Sequence, residues 1–221
     1  MQQTPHATFE SALKPLPLIA ILRGIRPEEA AGVGVALVDA GWRLIEVPLN
    51  SPEPLESIRR MVAACPAALV GAGTVMSAEA VRAVHDAGGR FVVAPNFDAA
   101  VVHAARALGL AVLPGVMSAT EAFAALQAGA TALKLFPAEM IPPQAVKALR
   151  AVLDPGVIVL PVGGISLTNM APYRAAGATG FGVGSALYQP GMSADEVGRN
   201  AARWKAAVEL DPSRNQRSAS R

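Results

Sequence analysis

Cysteine is almost absent from this chain. Cys65 is the only one in 221 residues, which excludes an internal disulfide framework and a thiolate metal site. It precedes Pro66 at an apparent helix end and reads as a packing thiol. Histidine is nearly as scarce. His6, His85 and His103 fall on an N-terminal tail and two helical stretches, and neither their spacing nor any flanking carboxylate makes a ligand set. Charged residues are 16% of the chain against 52% hydrophobic, so there is apolar surface enough for a sizeable core. Yet no apolar run approaches the roughly 20 residues that span a bilayer, and Met1–Leu13 lacks the apolar core of a signal peptide. The expectation is a cytoplasmic protein that makes no use of a membrane.

Net positive charge is also missing from the body of the chain. Arg214, Arg217 and Arg221 against Asp211 give the segment 211–221 a net charge of +2, which is the whole formal charge of the protein. A neutral body argues against nucleic acid as a partner.

Glycines are placed where helices should stop and strands begin, at Gly41, Gly88, Gly109, Gly129 and Gly177. The long intervals hold other stops, Cys65–Pro66 and Asp154–Pro155–Gly156, and the resulting unit is about 20–25 residues long. Each unit pairs a short β-branched apolar run with an Ala-rich helical stretch. The strands read as residues 17–23, 43–49, 68–73, 91–94, 111–115, 131–136, 157–162 and 180–184. Helices are predicted to begin near Pro27, Pro52, Ser77, Asp98, Ser118, Pro143 and Thr168, and a last one runs from about Ser193 to Leu210.

Near-continuous apolar strands indicate a parallel sheet covered on both faces. Eight strands alternating with eight helices predict an α/β fold, a single-domain (β/α)8 TIM barrel. An open doubly wound sheet is the competing arrangement, but no G-x-G-x-x-G follows the first strand. The barrel is assigned to residues 16–210. Residues 1–15 form an N-terminal segment with a short helix around Phe9–Leu13, and residues 211–221 form a basic tail expected to be disordered.

Barrels carry chemistry at the C-terminal ends of their strands. The sixth strand holds Lys134 between Leu133 and Leu135, and the second holds Glu46 between Ile45 and Val47. Alternation turns the bulky neighbours toward the helices and leaves Lys134 and Glu46 facing the barrel interior. Two readings stay open, a buried salt bridge and a functional pair with a nucleophilic amine.

Arg23 ends the first strand as a guanidinium able to grip a carboxylate with two bonds, or serves as a surface group beside Arg26. Thr74 either hydrogen-bonds the same carboxylate or caps the helix near Ser77. Gly163–Gly164 and Gly184–Ser185 follow the seventh and eighth strands, where barrels often hold phosphate; tight turns use such pairs equally. Pro95, Pro114 and Pro137 close strands and shape the mouth. Asp98 and Glu121 read as helix-start residues.

Taken together, these segments have a pattern. Leu22–Arg23–Gly24, Glu46–Val47–Pro48–Leu49–Asn50–Ser51–Pro52, Gly71–Ala72–Gly73–Thr74–Val75, Ala94–Pro95–Asn96, Leu133–Lys134–Leu135–Phe136–Pro137–Ala138 and Val162–Gly163–Gly164 resemble, in order and spacing, the class I 2-keto-3-deoxy-6-phosphogluconate and -phosphogalactonate aldolases. The resemblance covers about residues 16–210. It is closer to the phosphogalactonate branch, which reads Pro-Leu-Asn-Ser-Pro after the glutamate and has a valine, here Val162, before the Gly-Gly pair.

The resemblance implies cleavage of 2-dehydro-3-deoxy-6-phosphogalactonate to pyruvate and D-glyceraldehyde 3-phosphate. The phosphogluconate epimer, or both epimers, is the alternative substrate. It implies Lys134 as the Schiff-base amine and Glu46 as general acid/base. Arg23 and Thr74 would bind the substrate carboxylate, and Pro95, Phe136 and Val162 would line the pocket. Gly163, Gly164, Gly184 and Ser185 would hold the phosphate. It further implies no cofactor, no metal and a homotrimer. A phosphosugar isomerase with Glu46 as base, and a non-catalytic binder of phosphorylated ligands, are the rival functions on the same scaffold.

Overall fold

A computed structural model describes residues 4–210; the segment 211–221, expected to be a disordered tail, lies outside the described residues. Short apolar runs give the strands β1 (Leu18–Ile21), β2 (Leu44–Pro48), β3 (Leu69–Gly73), β4 (Phe91–Val93) and β5 (Ala111–Leu113). They continue with β6 (Gly115–Val116), β7 (Leu133–Leu135), β8 (Val159–Pro161) and β9 (Phe181–Val183). The helices are α1 (Pro5–Leu13), α2 (Pro27–Asp39), α3 (Pro54–Ala64), α4 (Ala78–Asp86) and α5 (Ala99–Ala107). After them come α6 (Ala119–Ala128), α7 (Pro143–Arg150), α8 (Met170–Ala175) and α9 (Ala194–Glu209).

The start and stop signals act as their chemistry dictates. Pro27, Pro54 and Pro143 open helices at the first turn. The side chains of Ser77, Asp98, Ser118 and Ser193 each accept an N–H from the first turn they precede. All five predicted stop glycines have positive φ, between 71° and 107°. Most strands are shorter than predicted, α1 starts at Pro5 rather than Phe9, and α3 starts at Pro54 rather than near Pro52.

All strand pairs are parallel. They fall into a sheet ordered β5-β4-β3-β2-β1-β9 and a second ordered β6-β7-β8. The predicted fifth strand is therefore one barrel stave broken at Pro114, whose ring removes the N–H that a continuous ladder needs. Across the break, Thr131 N–H and Lys134 N–H donate to the Val112 and Pro114 carbonyls at 2.9 and 3.0 Å. At the other seam, a parallel bridge joins Val162 to Gly182, and Thr179 N–H reaches the Val159 carbonyl at 2.8 Å. Counting the broken stave once, eight staves close into the (β/α)8 barrel.

Alternation splits the core in two. Ile19, Leu44, Phe91, Val93, Ala111, Leu113, Ala132, Ile158 and Leu160 pack together inside the barrel with Phe9 and Leu13 of α1. Phe9 meets Phe91 edge-on, with ring centroids 5.8 Å apart. Leu18, Ala20, Ile45, Val47, Val70, Val92, Leu133, Leu135 and Val159 belong to the larger outer layer beneath the helices. The N-terminal segment thus contributes α1 side chains to the interior, leaving polar groups for the opposite end. Among the described residues, no helix is long and apolar enough to cross a membrane.

Candidate active site

Glu46 lies between Ile45 and Val47, which belong to the outer layer, and Lys134 lies likewise between Leu133 and Leu135. The parity read from the sequence therefore holds, and both charged residues share the interior side of their strands with Leu44 and Ala132. They are 3% and 6% exposed. Among the described residues, no ion pair joins them. The salt-bridge reading of Lys134 consequently loses its structural support.

Burial dominates the titration of both groups. It pulls the Lys134 amine below its ordinary range; the Glu46 carboxylate opposes the fall and Arg23 adds to it. Burial pushes the Glu46 carboxyl up, while Lys134 and Arg23 hold it back. Both shifts favour the uncharged form, a free amine facing a carboxylic acid. The Phe136 ring lies 4.4 Å from Lys134 Nζ. A cation–π contact of this kind favours an ammonium by about 0.5–2 kcal/mol. Burying an ion costs several, so burial sets the direction.

Room for Glu46 comes from a glycine. Glu46 pairs in register with Gly71 of β3, and two residues on, a Cβ at Gly73 would collide with Glu46 Oε1 and lie 2.6 Å from its Cδ. Gly73 is thus a positioning residue that sequence reasoning missed. Its signal was a glycine in the strand beside the buried acid, one pleat further along.

Thr74 follows with φ at +59°, a conformation that costs a β-branched residue about 1–3 kcal/mol. It does not cap α4, a role taken by Ser77 Oγ, which accepts the Ala80 N–H at 3.1 Å. The strained backbone stands directly beyond the strand that cradles Glu46.

Arg23 stands just past β1, whose Ile21 pairs in register with Glu46. Leu22 N–H donates to the Glu46 carbonyl at 2.9 Å, so the turn carrying Arg23 is tied to the strand carrying the acid. Arg23 is exposed and donates from Nη1 to Asn50 Oδ1 at 3.1 Å. The Asn50 contact was not foreseen.

Val162 is 8% exposed and follows the parity of Ile158 and Leu160. A Cβ on Gly182 would lie 2.8 Å from Val162 Cγ2 and 3.1 Å from Ile21 Cδ1, so the valine packs on the lumen side of β9. Pro95 is half-buried, and a Cβ on Gly115 would strike its carbonyl, which fixes how closely these two staves approach.

Gly163 and Gly164 have φ of +106° and +60°. Glu139, in the turn after β7, leans on both; a Cβ on Gly164 would lie 2.6 Å from its Cγ. Their positive φ favours glycine at both positions, and Glu139 is the second residue missed. Gly184 and Ser185 begin the turn after the adjacent β9, where the Gly184 carbonyl accepts the Leu187 and Tyr188 N–H groups at 2.8 and 3.1 Å. Gly184 is different from the pair: a Cβ there would find nothing nearer than Ile21 at 4.0 Å.

A groove of about 570 Å³ lies elsewhere, lined by Leu49, Leu55, Arg59, Ser77, Glu79 and others. It includes neither Lys134 nor Glu46, and the chemistry is assigned to the barrel end on the strength of that buried pair.

Comparison with known proteins places this arrangement. A 2-dehydro-3-deoxy-6-phosphogalactonate aldolase of Escherichia coli (strain K12) is 47% identical over 85% of this chain and 92% of its own. A probable enzyme of the same name from Rhizobium meliloti (strain 1021) is 48% identical over 87% of this chain and 92% of its own. Among solved structures, one described as native KDPGal is 46% identical with a TM-score of 0.86, covering 88% of this chain and 95% of that one. A KDPG aldolase from Legionella pneumophila, with pyruvate captured at low pH as a covalent carbinolamine intermediate, is 26% identical with a TM-score of 0.76. It covers 96% of this chain and 99% of that one. Residues 9–200 match the family described as KDPG and KHG aldolase, and the chain belongs to that aldolase family.

Proposed function

We propose that the protein cleaves 2-dehydro-3-deoxy-6-phosphogalactonate to pyruvate and D-glyceraldehyde 3-phosphate through a Schiff base on Lys134. The observation that carries the reading is the buried, unpaired Lys134–Glu46 couple at the C-terminal end of the barrel interior, with both groups driven toward their neutral forms. The names of the relatives at 47% and 48% identity supply the substrate, and the carbinolamine trapped in the Legionella relative supports the covalent route.

The free Lys134 amine attacks the C2 ketone to give a carbinolamine. Glu46, as the acid, protonates its hydroxyl, which leaves as water and yields the iminium. Glu46, now a carboxylate, takes the C4 hydroxyl proton as the C3–C4 bond breaks. The electron pair of that bond flows into the iminium, making an enamine and releasing the aldehyde product. Protonation of the enamine at C3 and addition of water return pyruvate and the free amine. Arg23 and the Thr74 hydroxyl hold the substrate carboxylate, Pro95 and Phe136 wall the pocket, and the turns at Gly163–Gly164 and Gly184–Ser185 hold the phosphate.

The enzyme works in the cytoplasm as a homotrimer on this reading. Met76, Met117, Met140 and Leu167, exposed on loops that follow strands, offer apolar surface for contact between copies.

Val162 bears on the C4 epimer. The valine presents no hydroxyl to the lumen and so adds no hydrogen bond at C4 beside that of Glu46, which supports modest selectivity. Measuring kcat/KM on both phosphorylated C4 epimers tests the assignment. The galacto epimer should be cleaved at least as well as the gluco epimer, with a ratio below about a hundredfold. A strong preference for the gluco epimer would overturn it.

A further inference from the structure

We propose that Asn50 and Ser51, at the end of β2, position Arg23 for the α-keto acid carboxylate, a role that rests on the assignment of Arg23 to that carboxylate. Arg23 is exposed on a flexible stem, and a guanidinium left to wander loses affinity to side-chain entropy. The structure restrains it at both ends.

At the head, Arg23 Nη1 donates to Asn50 Oδ1 at 3.1 Å. The guanidinium has only donors, so the atom facing it must be the amide oxygen. That leaves the Asn50 NH2 as a further donor, and the pair presents N–H groups alone to an incoming anion.

At the base, Gly24 N–H donates to Ser51 Oγ at 2.9 Å, and Ser51 is 7% exposed. Gly24 has φ at +82°, and a Cβ there would lie 2.7 Å from Pro190 Cγ. The Arg23–Gly24 turn is therefore held between Ser51 on one side and the loop after β9 on the other. That loop is itself fastened, since Tyr188 OH donates to Glu29 Oε2 at 3.3 Å. Glu29 in turn accepts the Arg26 N–H at 3.3 Å.

The test uses the full-length enzyme and reads KM and kcat for cleavage, together with the pyruvate concentration giving half-maximal borohydride inactivation. The variants are Asn50→Ala, Asn50→Asp, Arg23→Ala and the double Arg23→Ala/Asn50→Ala, each checked for an unchanged melting curve. Asn50→Ala should raise KM and the half-saturating pyruvate concentration about three- to tenfold, the scale of one hydrogen bond, with kcat within about twofold. Asn50→Asp keeps the acceptor and the bond to Arg23 but sets a negative charge against the substrate carboxylate, so it should raise KM further. In the Arg23→Ala background, Asn50→Ala should add little.

Three results would overturn the proposal: an unchanged KM in Asn50→Ala beside a raised one in Arg23→Ala, full recovery of KM in Asn50→Asp, or additive effects in the double variant. If Arg23→Ala itself leaves both saturations unchanged, the carboxylate assignment fails and the proposal with it.

Discussion

Burial works on Lys134 and Glu46 in opposite directions on the pH scale and toward one chemical end. It lowers the pKa of the amine and raises that of the acid, so each group is shifted toward its neutral form. The two neighbours of Lys134 act with opposite signs, Glu46 holding the proton on and Arg23 driving it off. Replacing Glu46 by Gln removes the influence that holds the proton. The unprotonated amine then persists to lower pH, and the acid limb of iminium trapping with pyruvate should move to lower pH. Turnover should fall about 10²–10⁴-fold for loss of the general acid/base. A limb that moves upward in pH-dependent trapping kinetics would contradict this coupling. Thr74 belongs to the same scale. A threonine at φ +59° is the sort of local cost that a chain retains where the side chain is used.

Elements set where those residues stand. The broken stave at Pro114 separates β5 from β6. At both seams of the barrel, threonine hydroxyls take over ladder positions: Val112 N–H donates to Thr131 Oγ1 at 3.0 Å and Val159 N–H to Thr179 Oγ1 at 3.1 Å. Helix starts were legible because a serine or aspartate before an apolar run acts within one turn. Strand ends were not, because they depend on which neighbour offers a hydrogen bond; the run 111–115 gave no sign that its two halves pair with different staves. One element carries a defect. Ser57 in α3 is fully buried, and its hydroxyl has no hydrogen-bond partner. Ser57→Ala should raise stability by about 0.5–2 kcal/mol, read as a higher urea midpoint at unchanged slope. A lower midpoint would show that the hydroxyl is satisfied in solution.

At the scale of the molecule, strand alternation made the interior parity of Glu46 and Lys134 readable, since it needs only a period of two and a barrel. The contacts that refine the site could not be read that way. Gly73 against Glu46, Glu139 against Gly163–Gly164 and Asn50 on Arg23 each join separate staves or their loops, and their closeness follows from barrel closure rather than from local sequence. On the proposed reading, the chain surrounds one nucleophile with an acid, a carboxylate grip and a phosphate cradle, above an apolar interior that α1 packs into. The claim that holds this together is that Lys134 is the covalent amine. Incubating the protein with pyruvate and sodium borohydride, then mapping the modified peptide by mass spectrometry, tests it directly. The account predicts a single reduced adduct on Lys134 with matching loss of activity, and none in Lys134→Met. An unmodified Lys134 in inactivated enzyme, or an adduct on another lysine, would contradict it.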